Sequence, residues 1–184
     1  MMRMSDHRDM GIDEITRTLA SAPAAFRALL SSAGADAIAF RESEGAWNAC
    51  EVLAHVAHAE LTDWRPRVAA IVSPEGDRRF TPFDREGGQS RYKDWTIAAI
   101  QEEFERLRAD NVAYVKELRL DAAALRRTGI HPEFGEVTLD QLLACWVAHD
   151  LAHINQISRG LIRRLAPAVG PWTKYFSLLN GSRA

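Results

Sequence analysis

Two histidines four residues apart, His149 and His153, form the pair in this chain whose spacing best suits metal chemistry. They lie in a run that predicts an α-helix, in which side chains four residues apart share one face. Two imidazoles at that spacing can bind a single ion. A second predicted helix, about ninety residues earlier, contains His55 and His58. Either of these can supply a third ligand, and the spacing alone leaves the choice open.

Three histidines around one ion with a position left open are a known catalytic zinc arrangement. The competing interpretation is that each histidine is an ordinary hydrogen-bonded core residue. The spacing of His149 and His153 also fits the zincin proteases, but Asp150 stands where that motif has its catalytic glutamate, which disfavours a protease. We expect Asp150 to accept a hydrogen bond from a histidine or to form a surface pair. A two-metal carboxylate site is not predicted, because Trp146 occupies the position that its motif gives to glutamate.

Two further side chains fall near the predicted site. Cys145 precedes His149 by four residues and shares its face. It can act there as a soft ligand or a nucleophile, but the favoured interpretation is a small buried apolar residue. Gln156 follows His153 by three residues and either lines the same cavity or bonds within the core. The sequence does not decide whether His58, Cys145 or Gln156 takes part in the site.

The composition is that of a globular protein. Of the 184 residues, 47% are hydrophobic and 26% are charged, which predicts a single domain over residues 1–184. The net charge of −2 with mixed signs disfavours nucleic acid as a partner, and no apolar run is long enough for a membrane span. Residues 1–10 lack a signal-peptide core, and the two cysteines are too few for a disulfide framework. We therefore expect a cytoplasmic protein.

Helical periodicity dominates the chain, and strand signals are scarce. Asn48 with Glu51 and Thr138 with Gln141 match capping boxes, and Pro23 predicts a kink or break in the first helix. The fold prediction is all-α, a four-helix bundle with long inter-helix connections and a C-terminal extension over 167–184. The four helices are predicted at residues 12–32, 48–66 (or on to 72), 95–118 and 138–165, and the connections at 35–47, 73–88 and 121–136.

Three runs, at residues 47–56, 131–139 and 146–156, resemble the DinB/YfiT-like family of metal-dependent bundle proteins. The resemblance extends from about residue 12 to residue 166. It implies that His55, His149 and His153 are the metal ligands and that His58 is an additional histidine nearby. It also implies a divalent transition metal, zinc or nickel, and a homodimer. Characterised relatives include thiol-dependent S-transferases and an isomerase.

The sequence thus predicts a metal-dependent enzyme, of the hydrolase or thiol S-transferase type, that acts on a small molecule such as a thiol. Segment 73–88 or the tail is expected to wall its pocket. No catalytic residue beyond the metal ligands is assigned. The alternative is a non-catalytic metal-binding protein or a stress-related interaction protein. The number of protein ligands distinguishes an enzyme from a non-catalytic protein, because three ligands leave a coordination position open for chemistry and a fourth closes the site.

Overall fold

The structure, a computed structural model, describes residues 11–179, so the predictions for residues 1–10 and 180–184 lie outside it. A π-helical turn over Glu60–Trp64 joins the third helix to the fourth, and a 3₁₀ turn over Gly170–Tyr175 follows the last helix. The helices and strands are α1 Ile12–Ser31, α2 Ala35–Ala39, α3 Ala49–Ala59, α4 Arg65–Val72, α5 Gly87–Arg91, α6 Ile97–Glu117, α7 Ala122–Leu125, β1 Thr128–His131, β2 Gly135–Thr138 and α8 Leu139–Val169.

The long helices form the predicted four-helix bundle. Helix α1 packs against α6 and α8, and α3 packs against the same two helices from the other side. The all-α prediction is confirmed, with one small two-stranded sheet added to it. Within residues 11–179, no helix is both long and apolar enough to cross a bilayer.

Both predicted capping boxes are present at the helices that carry the histidines. At the start of α3, Asn48 Oδ1 accepts a hydrogen bond from the Glu51 amide at 3.0 Å, and Glu51 Oε2 accepts one from the Asn48 amide at 2.9 Å. At the start of α8, Gln141 Oε1 accepts a hydrogen bond from the Thr138 amide at 3.0 Å. These contacts satisfy amides that have no partner inside the helix and so fix where each helix begins.

The long helices continue through or past their prolines. Pro23 does not break α1, because the Leu19 carbonyl that loses its helical donor accepts a hydrogen bond from Arg108 Nη1 at 2.8 Å. Pro66 falls just after the π-helical turn, and the helix runs on to Val72. The predicted end of α8 near Leu165 is wrong, since α8 passes Pro167 at an exposed end of the bundle.

The connection predicted over 121–136 contains regular elements that the sequence did not predict. Helix α7 and an antiparallel hairpin occupy this segment, with His131 paired to Gly135 across a three-residue loop. Gly135 has φ +71°, a conformation that favours glycine, and Gly129 packs directly beneath the Phe80 ring. Strands of four residues with an interior glycine carry too little alternation to be recognised from the sequence.

The core consists of two apolar clusters separated along the bundle. One surrounds Leu19, Val112 and Trp146, and the other surrounds Phe26, Phe104 and Ile157. Between them, at mid-height of each helix, lies a buried polar layer. Its members are His55 and Glu60 on the α3 side, Arg108 and Asn111 on α6, and His149, Asp150 and His153 on α8.

Arg108 is the centre of this layer and is only 1% exposed. Its Nη2 donates to Glu60 Oε1 at 2.7 Å, and its two terminal nitrogens donate to the two oxygens of Asp150 at 2.6 and 3.0 Å. Asn111 and Trp146 donate to the remaining positions of the Glu60 carboxylate. A buried charge is tolerated only when it is paired and hydrogen-bonded in this way.

We predict that Arg108→Met strongly destabilises the fold. It leaves two carboxylates buried without their cation, and breaking such a group costs about 3–5 kcal/mol. Arg106→Met is the matched control on the same helix. The Arg106 side chain is 57% exposed and pairs with Glu103 and Asp110, so its loss should cost less than about 1 kcal/mol. Urea denaturation at pH 7 measures both, and equal losses would contradict the prediction.

Candidate metal centre

Three imidazoles converge at the α3–α8 contact. His149 Nε2 lies 3.1 Å from His55 Nε2 and 3.1 Å from His153 Nε2. One ligand nitrogen from each ring lies within 4.8 Å of the other two. The structure therefore brings together the three histidines that the family resemblance selected, and that they bind a metal remains a prediction.

Two of the three rings are oriented through their other nitrogen. His55 Nδ1 lies 3.1 Å from the Arg85 carbonyl oxygen, and His153 Nδ1 lies 2.8 Å from Gln156 Oε1. Because an oxygen acceptor requires a proton on Nδ1, each Nε2 keeps its lone pair directed at the shared point. His149 Nδ1 is buried and has no hydrogen-bond partner within the described part of the chain.

The environment keeps these imidazoles neutral. Burial lowers the pKa of His55 to about 4 and that of His149 to about 2, and it also lowers the pKa of His153. The positive charge of Arg85 lowers the pKa of all three, and Arg108 adds to the effect at His149. Neutral imidazole is the form that binds metals.

The arrangement fits a transition metal. Two nitrogens bound to one tetrahedral ion at about 2.05 Å lie about 3.3 Å apart. The separations of His149 Nε2 from His55 Nε2 and from His153 Nε2, both 3.1 Å, are close to that value, and uncharged nitrogen lone pairs at such distances repel one another unless a cation or a proton lies between them. The donor set is purely imidazole, which suits zinc, nickel or copper and not calcium or magnesium.

The segment after α4 is held against α3 by close backbone packing. A Cβ on Gly88 would lie 2.5 Å from the Ala54 carbonyl oxygen, so only glycine allows α5 to approach this closely. The approach brings the Arg85 carbonyl to His55 and places the Phe83 ring 5.3 Å from the imidazole. The predicted role of segment 73–88 as a wall of the site agrees with this placement.

Aromatic rings enclose the triad on other sides. Trp47 lies 4.8 Å from the His55 ring, and Trp64 lies 5.1 Å from the His149 ring. A cavity of about 430 Å³ adjoins the triad at His153. Its lining is Gly45, Ala46, Trp47, Arg85, Glu86, His153 and Gln156.

The family-level comparison agrees with the geometry. The model of the DinB superfamily matches residues 18–157. The chain belongs to the DinB superfamily. No curated protein matches it at the sequence level.

Two solved structures share this superfamily's fold with the chain. YfiT from Bacillus subtilis, described as "a probable metal-dependent hydrolase with an unusual four-helix bundle topology", superimposes with a TM-score of 0.73 at 18% identity, over 90% of this chain and 93% of that one. The mycothiol-dependent maleylpyruvate isomerase superimposes with a TM-score of 0.59 at 16% identity, over 94% of this chain and 75% of that one. At these identities the similarity concerns the fold.

Of the three other candidates in this DinB-superfamily chain, His58 and Cys145 are not part of the triad, and Gln156 is bonded to one of its rings. His58 packs against α5, close to Gly87 and Asp84, and does not join the converging nitrogens. Cys145 is exposed, so the expectation of a buried residue is wrong, and desolvation of its sulfur together with Asp63 raises the pKa of the thiol. Gln156 takes part indirectly, as the acceptor for His153.

Asp150 differs from both of its predicted roles. It neither accepts a hydrogen bond from a histidine nor lies at the surface, but pairs with Arg108 in the core. Reasoning from the sequence did not single out Arg108, Glu60 or Arg85. Charged residues at mid-helix positions on an apolar stripe were the only available signal for Arg108 and Glu60, and a loop residue such as Arg85 carries none.

We predict that metal binding at pH 6 releases less than about one proton per ion. The pKa of each of these histidines lies below the usual value of 6.5, so the imidazoles of the folded protein stay neutral at pH 6. Protons therefore compete with the metal for the ring nitrogens only at lower pH. Three ordinary histidines would release about two protons at that pH. Calorimetric titration of zinc in two buffers of different ionisation enthalpy counts the protons, and a release of two would contradict the neutral triad.

Proposed function

We propose that this protein is a metal-dependent enzyme whose ion, zinc or nickel, is held by His55, His149 and His153. The observation that carries the proposal is the convergence of three neutral imidazole nitrogens, two of them oriented by hydrogen bonds through Nδ1. Hydrogen-bonded histidines of this kind are typical of metal sites. A satisfied core histidine has no need of two others at 3.1 Å.

The open side of the triad supports catalysis over a purely structural ion. Among residues 11–179, no fourth histidine, cysteine or carboxylate joins the group. Asp150, the nearest acid in the sequence, is already engaged by Arg108. Three protein ligands with an accessible position are typical of catalytic zinc, whereas structural sites use four.

A bound ion would supply Lewis acidity, which makes a water or a thiol nucleophilic at neutral pH. The chain's own residues then define where that chemistry takes place. Trp64 and Phe83 restrict water on the enclosed sides, and the Gln156 and Arg85 carbonyl acceptors hold two rings in position. Substrate enters from the cavity beside His153.

The reaction class proposed is hydrolysis or thiol transfer on a small molecule. The description of YfiT as a probable metal-dependent hydrolase supports the first, and the thiol dependence of the maleylpyruvate isomerase supports the second. The cavity of about 430 Å³ suits a small molecule. The homodimer and the cytoplasmic location stay predictions.

The direct test is activity of the metal-loaded protein. Zinc-, nickel- and cobalt-loaded samples are assayed against a panel of esters and amides and, separately, with electrophiles in the presence of low-molecular-weight thiols. Turnover that disappears with a chelator and returns with metal supports the proposal. Failure to bind any of the three ions at one equivalent would overturn it.

We predict that His55→Ala loses metal far more severely than His58→Ala. The first variant removes one of three ligand nitrogens and should weaken zinc binding more than about 100-fold, since even groups behind the ligands account for about 10–100-fold. His58 lies on the same helix, three residues on, and is the matched control because it contacts α5 instead of the triad.

Competition of each variant with a chromophoric zinc chelator measures the two affinities. Thermal unfolding without metal serves as the folding control for both. If His58→Ala loses zinc and His55→Ala retains it, the assignment of the third ligand is wrong, although His149 and His153 could still form a site.

A further inference from the structure

Among the described residues the side chain of Arg85 has no counter-ion, although it lines the cavity beside the triad. It is exposed, and its guanidinium makes no hydrogen bond or ion pair with any residue in the range 11–179. Several other arginines of the bundle are engaged by a carboxylate: Arg27 by Glu105, Arg41 by Glu51, Arg106 by Glu103 and Arg159 by Glu42. An unpaired guanidinium in a concave site is suited to a ligand anion.

We propose that this cavity is a subsite for a carboxylate of the substrate, with the Arg85 guanidinium as its partner. The inference deepens the proposed function, on which it rests, by naming the chemical class of the substrate. It assigns the reacting group of that substrate to the triad and its carboxylate to the Arg85 side.

The charge of Arg85 acts on the triad itself. Arg85 lines the same cavity as His153, and its charge adds to the effect of burial in lowering the pKa of His55, His149 and His153. The backbone and the side chain of Arg85 therefore have different roles. The carbonyl orients His55, and the side chain faces the space where a ligand would lie.

Gln156 supplies a second donor to the same cavity. Its Oε1 is occupied by His153 Nδ1, so its amide NH₂ group is left for another partner. No hydrogen bond of that NH₂ group to a described residue is present, and Gln156 lines the cavity together with Trp47. The indole of Trp47, 4.8 Å from the His55 ring, forms an apolar wall of this cavity.

The charges of the cavity favour a carboxylate over a phosphate. Glu86 lines the cavity next to Arg85, so the lining carries one cation and one carboxylate besides His153 and Gln156. A phosphate dianion would meet the Glu86 charge with a single guanidinium to offset it. A planar monoanion that pairs side-on with one arginine and accepts from one amide uses the donors that are present.

The test is a titration of the full-length protein with succinate and with its uncharged counterpart succinamide. The reporter is the indole N–H resonance of Trp47, assigned with Trp47→Phe, in zinc-loaded protein and in parallel in chelator-treated protein. We expect a saturable shift with succinate, at least about 10-fold weaker binding of succinamide, and at least about 10-fold weaker binding of succinate by Arg85→Met.

Arg79→Met is the matched control on the same segment. Arg79 is exposed, pairs only with Asp77 at 3.6 Å and does not line the cavity, so its loss should change succinate binding by less than about twofold. Arg85→Met retains the backbone carbonyl that orients His55, so its zinc affinity is a check that the triad is intact.

Each outcome bears on one proposal. Equal binding of succinate by wild type and Arg85→Met, equal binding of succinamide, or no succinate binding in either sample overturns the carboxylate subsite, even if zinc binds. Arg85-dependent binding of succinate in a protein that takes up no metal overturns the proposed function and leaves the subsite standing.

Discussion

The buried guanidinium of Arg108 is the interaction on which the rest of the bundle depends. It reaches α1 through the Leu19 carbonyl that Pro23 leaves without a donor, the α3 side through Glu60, and α8 through Asp150. One side chain thus joins all four long helices at mid-height, between two apolar clusters that by themselves would tolerate some rotation or sliding of each helix. The hydrogen bonds are directional, so they fix a single rotation of α8. Since His149 and His153 lie about 60–100° to one side of Asp150 on the helical wheel, an inward Asp150 turns both histidines toward α3.

The same layer explains why the triad can exist in a folded core. Three imidazoles with their lone pairs directed at one point gain nothing for stability, and the buried Nδ1 of His149 has no hydrogen-bond partner between residues 11 and 179. Local rules of packing and hydrogen bonding are broken here, as they commonly are where a protein binds a ligand. The surrounding structure compensates through Arg108 and its partners, and the positive charge of Arg108 adds to the effect of burial in lowering the pKa of His149. Neighbouring parts of one polar layer therefore have different roles. The acids pair with Arg108 and stabilise the fold, and the imidazoles face one another and are ready to bind a metal.

Patterns of local origin could be predicted from the sequence, and contacts between distant segments could not. The four long helices and the caps at Asn48 and Thr138 follow from periodicity and from residues three apart, which act within one turn. The pair His149 and His153 follows from the same rule. Choosing His55 over His58 required the family resemblance, because three residues of separation leave both on a broad common face. The burial of Glu60 depends on a π-helical turn and on a partner 48 residues away, neither of which leaves a mark on the local sequence.

The metal ligands and the residues that line the cavity come from different parts of the fold. The ligand nitrogens come from helices that the core holds rigidly, whereas Trp47 and Arg85 come from segments between helices, which can change without disturbing the bundle. Gly88 connects the helices with the segment that contains Arg85, because it lets α5 approach α3 closely enough for the Arg85 carbonyl to orient His55. A backbone acceptor is present whatever side chain stands at that position. The chain can therefore vary the residue that faces the substrate while the same residue continues to hold the metal ligand, so specificity can change at Arg85 without loss of the triad.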